Sequence, residues 1–128
     1  MQALTKLELN NSSFTSIEDI QELKGLKYLD VSGNSLSNLD LLAGLESLTE
    51  VNLSQTNIID LTPLAAISTL KTINVNNTSV SNIIPLNNRP NLRMLYADLT
   101  EVSESSAEQY ARNNRNVLLI HHVETLQS

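Results

Sequence analysis

The stretch Leu26–Thr69 reads LKYLDVSGNSLSNLDLLAGLES and then LTEVNLSQTNIIDLTPLAAIST. Laid over one another, the two halves put apolar residues at the same offsets. Leu26, Leu29, Val31, Leu36, Leu39, Leu42 and Leu45 answer Leu48, Val51, Leu53, Ile58, Leu61, Leu64 and Ile67. Outward from this stretch the leading leucine recurs at Leu4, Leu26, Leu48, Leu70 and Leu92, always 22 residues apart. A strict period within roughly 20–29 residues, opening L-x-x-L-x-L, marks stacked repeats. One such unit cannot bury its own apolar residues, so it stacks on the next and the chain becomes a solenoid.

Each unit divides into two halves. In L-x-L the apolar residues alternate with others, which is the period of a strand. Strands are expected at Lys6–Asn10, Tyr28–Ser32, Glu50–Ser54, Thr72–Asn76 and Met94–Asp98. Every unit runs the same way, so the strands should pair in parallel. The second half carries apolar residues at every third position, as in Ile17, Ile20, Leu23 and in Leu61, Leu64, Ile67. That spacing suits a 3₁₀-like or irregular return on the convex side. Pro63 and Pro85 agree, since proline fits a first turn and not a helix interior. The turn after each strand holds Ser12, Asn34, Thr56, Thr78 or Thr100. An Asn there can bond several backbone groups, and a hydroxyl can do part of that work. The lattice breaks once, at Arg89, where earlier units have Leu23, Leu45 and Ile67. Its stem should leave the core and expose its charge.

After Thr100 the pattern changes. Ser105-Ser106-Ala107-Glu108 has capping-box spacing, and Ala107, Tyr110 and Ala111 share one helical face. A helix is expected over 106–114, ended by Asn113, Asn114 and Asn116, with Val117–Ile120 as a last extended segment. The whole forms one domain, 1–128, with repeats at about 4–25, 26–47, 48–69, 70–91 and 92–103. A C-terminal cap covers about 104–120, and 121–128 reads as a polar tail.

Composition narrows the function. The 128 residues hold 8 Lys and Arg against 14 Asp and Glu, a net charge of −6. That disfavours binding dominated by nucleic-acid phosphate or anionic lipid and mildly favours a basic or polar protein partner. Trp is absent and Phe occurs once, so the core must be layered aliphatics. There is no Cys, which fits a cytoplasmic or a bacterial surface protein alike. No apolar run approaches the roughly 18 residues of a membrane span, and no signal peptide precedes Leu4. The repeats begin almost at Met1 without a polar cap, which predicts a piece of something longer and self-association through that edge.

These residues resemble the leucine-rich repeat superfamily, in its short class with 22-residue units. Asp60-Leu61-Thr62-Pro63-Leu64 and Ile84-Pro85-Leu86 are similar to the repeat signature of bacterial internalin-type proteins, and Pro90-Asn91-Leu92 also looks like such repeats. The resemblance spans about Leu4 to Thr100. It implies an α/β leucine-rich repeat solenoid with a parallel sheet on its concave face and a C-terminal capping helix and strand. It also implies recognition of a protein through that face, with no catalytic residues shared across the family. The helical N-terminal cap of internalins is missing from this sequence.

The outward strand positions form three columns. They are Lys6, Tyr28, Glu50, Thr72, Met94, then Glu8, Asp30, Asn52, Asn74, Tyr96, then Asn10, Ser32, Ser54, Asn76, Asp98. The candidate partner site is Tyr28, Asp30, Glu50, Asn52, Asn74, Met94 and Tyr96. Exposed tyrosines are common interface anchors, although such a ring can also simply cover neighbouring aliphatic stems. Glu8 beside Asp30 can attract a cation or merely keep the face solvated. Five strands span only about 20 Å, so a tight complex would need the loops Asn10–Ser13, Ser32–Ser35 and Gln55–Asn57. No metal, cofactor or catalytic set is expected. His121 and His122 are adjacent and would face opposite ways on a strand, no third ligand is near, and all three glycines are isolated. Sequons such as Asn52-Leu53-Ser54 and Asn76-Asn77-Thr78 arise naturally in a chain rich in Asn, Ser and Thr. The rival function is a structural or regulatory arm of a larger protein whose activity lies elsewhere.

Overall fold

The computed structural model describes residues 4–11, 20–36 and 39–122. The expectations for Met1, Ser12, Ser13, Ile17 and the tail from Val123 onward lie outside the described residues.

Among the described residues six strands form one parallel sheet in chain order. They are β1 (Lys6–Glu8), β2 (Tyr28–Asp30), β3 (Glu50–Asn52), β4 (Thr72–Asn74), β5 (Met94–Tyr96) and β6 (Leu118–Ile120). The 22-residue period fixes the register as Lys6↔Tyr28↔Glu50↔Thr72↔Met94. Each strand has three residues, two fewer than expected for β1 to β5 and one fewer for β6. The cause is local. The Oδ1 of Asp30, Asn52 and Asn74 accepts from the backbone N–H two residues on, at 2.9–3.1 Å, and bends the chain away. Pairing outlasts the strand geometry, because Leu9, Val31, Leu53, Val75 and Ala97 still donate to a carbonyl of the next strand.

The return paths hold 3₁₀ turns at Ile20–Glu22, Asp40–Gly44, Thr62–Ala66 and Ile84–Leu86. Pro63 and Pro85 are the second residues of their turns, in the first turn, where no N–H is needed. Asp60 Oδ1 accepts from the Thr62 hydroxyl at 2.6 Å and its N–H at 2.9 Å, bonds that hold its carboxyl below the usual range. Between sheet and turns the core is aliphatic. Leu29, Val51, Ile73 and Leu95 from the strands and Leu42, Leu64 and Leu86 from the turns are fully buried.

The turn ladder behaves as its residues dictate. Asn34 Nδ2 reaches three carbonyls, Val31 at 2.8 Å, Leu9 of the preceding repeat at 2.9 Å and Ser32 at 3.1 Å. Thr56, Thr78 and Thr100 each reach one carbonyl of their own repeat, those of Leu53, Val75 and Ala97. The helix α1 spans Glu104–Asn113, two residues earlier than expected at its start. The Ser103 hydroxyl, rather than one at 105, accepts from Ser106 N–H and caps it. Tyr110 and Asn114 fasten α1 to the Ile84–Leu86 turn. The Tyr110 hydroxyl donates to Leu86 O at 2.9 Å, and Asn114 Nδ2 donates to Asn87 Oδ1 at 2.7 Å. Arg89 corrects an expectation. It is half-buried and donates to the carbonyls of Ala65 and Asn87 instead of reaching freely into water. The histidines are also tied to the fold by hydrogen bonds. Leu99 N–H donates to His122 O at 2.9 Å, so the ladder runs past Ile120.

Candidate functional site

The concave sheet face carries the outward residues at the expected rows. Glu50 is exposed, and Tyr28, Asn52, Asn74, Met94 and Tyr96 are half-buried. Asp30 is only 9% exposed, and its Oδ1 accepts from the Ser32 hydroxyl at 2.7 Å. Asn52 does the same for Ser54 at 2.9 Å. Asp30, Asn52 and Asn74 therefore shape the strand ends as well as lining the face.

Tyr28 lies in a charged setting. The Lys6 ammonium stands 5.3 Å from its ring centroid and 4.0 Å from Glu8. Burial raises the Tyr28 phenol above its ordinary range, and the carboxylates of Asp30, Glu50 and Glu8 add to the rise. The other end of the face is different. β6 pairs with β5 in the register Met94↔Leu118 and Tyr96↔Ile120. Leu118, 56% exposed, extends the first column, and Ile120 extends the second. These two were absent from the expected site. The spacing from β5 to β6 is 24 residues, not 22, so the repeat count misses them. Alternation within Leu118-Leu119-Ile120 was the available signal, because Leu119 packs on the core while its neighbours face out.

Asp98 ends the third column and accepts from both the backbone N–H and the ring of His122, at 2.8 and 2.9 Å. His121 turns the other way, with Nε2 2.8 Å from Val102 O. A groove of about 190 Å³ lies between α1 and the Ile84–Leu86 turn, lined by Asn82, Asn87, Gln109 and Tyr110 among others. A wider one of about 450 Å³ lies between α1 and β6. Among the described residues no group of three His, Cys, Asp or Glu is placed to hold a metal ion. No described helix is long and apolar enough to cross a membrane.

The family pattern described as "Leucine rich repeat" matches residues 2–58, inside the region whose turns and strands repeat every 22 residues. Over that segment the chain matches the leucine-rich repeat family, and its fold is that of a leucine-rich repeat solenoid. The leucine-rich repeat fold continues to β6, beyond the matched segment. Internalin C2 from Listeria monocytogenes superposes with a TM-score of 0.83 at 28% identity, over 92% of this chain and 51% of that one. Internalin F from the same organism gives 0.72 at 21% identity, over 96% and 43%. A chain of the Drosophila melanogaster SNF/U2A′ complex gives 0.74 at 22% identity, over 89% and 71%. The chain thus spans about half the length of the internalin C2 structure it resembles. No curated protein sequence matches it. Leucine-rich repeat proteins are generally protein-interaction modules, typically without enzymatic activity.

Proposed function

We propose that this chain is a non-catalytic recognition module that binds a protein partner through the concave sheet and the loops beside it. The observation that carries the reading is the face itself. Tyr28, Glu50, Met94 and Tyr96 stand on it in registered rows while the core is filled by other residues. Tyrosine rings held on a rigid sheet bind at low entropic cost, and methionine adds an adaptable apolar contact. Six strands at about 4.8 Å span about 24 Å, still short of the roughly 800 Å² a standard interface covers on each partner. The loops after the strands, such as Ser32–Ser35, therefore belong to the proposed interface. The net charge of −6 argues for a protein rather than a nucleic acid as partner.

Affinity capture from the native source tests this, using the unmodified chain beside a Tyr28→Ala/Tyr96→Ala double variant. A partner held only by the unmodified chain is the expected result. Equal capture by both would move recognition off the concave face.

A further inference from the structure

We propose that the concave face recognises an extended protein segment carrying a lysine or arginine about four to six residues from an aliphatic or aromatic anchor. This rests on the recognition reading above and adds the partner's chemistry.

The face is divided along its length. Glu8, Asp30 and Glu50 stand in adjoining positions of β1 to β3 around the Tyr28 ring. The chain already seats a cation of its own there, since the Lys6 ammonium lies over that ring and beside Glu8. Both partners of that ion pair are more than half exposed, 64% and 54%, so it is a weak surface pair that an incoming cation can displace. A planar guanidinium would gain more than the ammonium does, stacking on the ring while bonding a carboxylate. The other basic residues nearby, Lys27, Lys71 and Arg93, precede the strands and form an exposed rim outside these columns.

Toward the C-terminal edge the same two columns turn apolar. Met94 and Leu118 follow one another in the first, Tyr96 and Ile120 in the second. The core requires Leu119 but not Leu118, whose side chain stays largely in water. Such a grouping, fully explained neither by folding nor by solvation, suits an apolar anchor.

Geometry sets the spacing. From β2 to β5 is three strand intervals and from β2 to β6 is four, about 14 to 19 Å. An extended segment crossing the strands advances about 3.4 Å per residue, so the two anchors stand about four to six residues apart.

A random 12-residue peptide library displayed on phage, selected on the whole chain, provides the probe. Enriched peptides are then synthesised and titrated against the unmodified chain and against Glu50→Lys, Leu118→Asp and Tyr96→Ala. Glu50 and Leu118 are exposed, so these variants keep the fold, which circular dichroism checks. The expected peptides pair Lys or Arg with an apolar residue at the stated spacing. Glu50→Lys and Leu118→Asp should each weaken binding by about tenfold or more, and added salt should weaken it in the unmodified chain. Peptides that lose binding in Tyr96→Ala but lack a basic residue, or that Glu50→Lys leaves unchanged, overturn this inference and leave concave-face recognition standing. Peptides indifferent to all three variants, or a selection that enriches none, overturn both.

Discussion

Leu99 holds a backbone φ of +57°, in the left-handed region. The same place in each earlier repeat is also left-handed, occupied by Asn11, Gly33, Gln55 and Asn77 at φ +54°, +73°, +57° and +59°. Asn and Gly tolerate this conformation, whereas a leucine strains by about 1–2 kcal/mol. Leu99 is 46% exposed and so recovers little by burial. Leu99→Gly should therefore raise stability by about 0.5–1 kcal/mol net of the added chain entropy, read as a higher urea midpoint with unchanged slope. Asn34 gives the opposite case. Its amide serves three carbonyls, two of them on its own repeat and one on its neighbour, while Thr56 serves one. Asn34→Ala should cost about 2–3 kcal/mol and Thr56→Ala about 1, because a buried carbonyl left without a donor costs more than the bond was worth. Equal losses in the two variants, measured by urea unfolding, would show that the bond to Leu9 contributes nothing.

At the scale of the element, α1 is held by what its buried face reaches. Tyr110 is 3% exposed and its hydroxyl donates to Leu86 O inside the joint with the Ile84–Leu86 turn. Burial pushes its phenol up to about 12, with Arg89 opposing weakly. The folded state therefore keeps the neutral phenol over a range where the unfolded chain has already ionised. Its contribution is complete below pH about 10 and is lost as pH rises from about 10 to about 12, at up to roughly 1.4 kcal/mol per pH step. Tyr110→Phe should lower stability by about 1–2 kcal/mol at neutral pH, since Leu86 O loses its donor, and should flatten the alkaline decline. Thermal unfolding of both proteins between pH 8 and about 11.5 checks this, provided the titration of the exposed lysines is common to both. The start of α1 was legible only in part. Several serines cluster between 103 and 106, and the cap goes to Ser103 because that residue takes extended φ and ψ, −74° and 160°, while Glu104 turns helical.

At the scale of the molecule, each repeat rests on its neighbours alone, so stability travels along the array from its covered ends. β6 and α1 cover one end. Leu92, Leu95 and Ala97 beneath them are fully buried. A chain ending at Thr100 would uncover that layer and the free edge of β5. It should self-associate where the unmodified chain sediments with a smaller mass, and sedimentation velocity of the two at equal concentration tests it. The polarity of the concave face also belongs to this scale. Acidic β1 to β3 and apolar β5 to β6 are far apart in sequence, and only the sheet order joins them into one strip.

The 22-residue spacing of Leu26, Leu48, Leu70 and Leu92 was enough by itself to determine the solenoid, its parallel register and its buried aliphatic layers. A period leaves no other way to bury every unit's apolar side, and a two-residue alternation says which side chains face out. Tyr28, Glu50, Met94 and Tyr96 were legible as facing outward for that reason. Strand length at β2 to β4 followed from side-chain bonds at Asp30, Asn52 and Asn74, local bonds that compete with the ladder after three residues. Two matters were decided by tertiary structure alone. Arg89 kept its place because carbonyls of Ala65 and Asn87 happen to converge on it, a convergence no linear pattern encodes. Leu118 and Ile120 joined the recognition face only once a non-repeating helix, with its own length and its anchor at Tyr110, had returned the chain to the edge of β5.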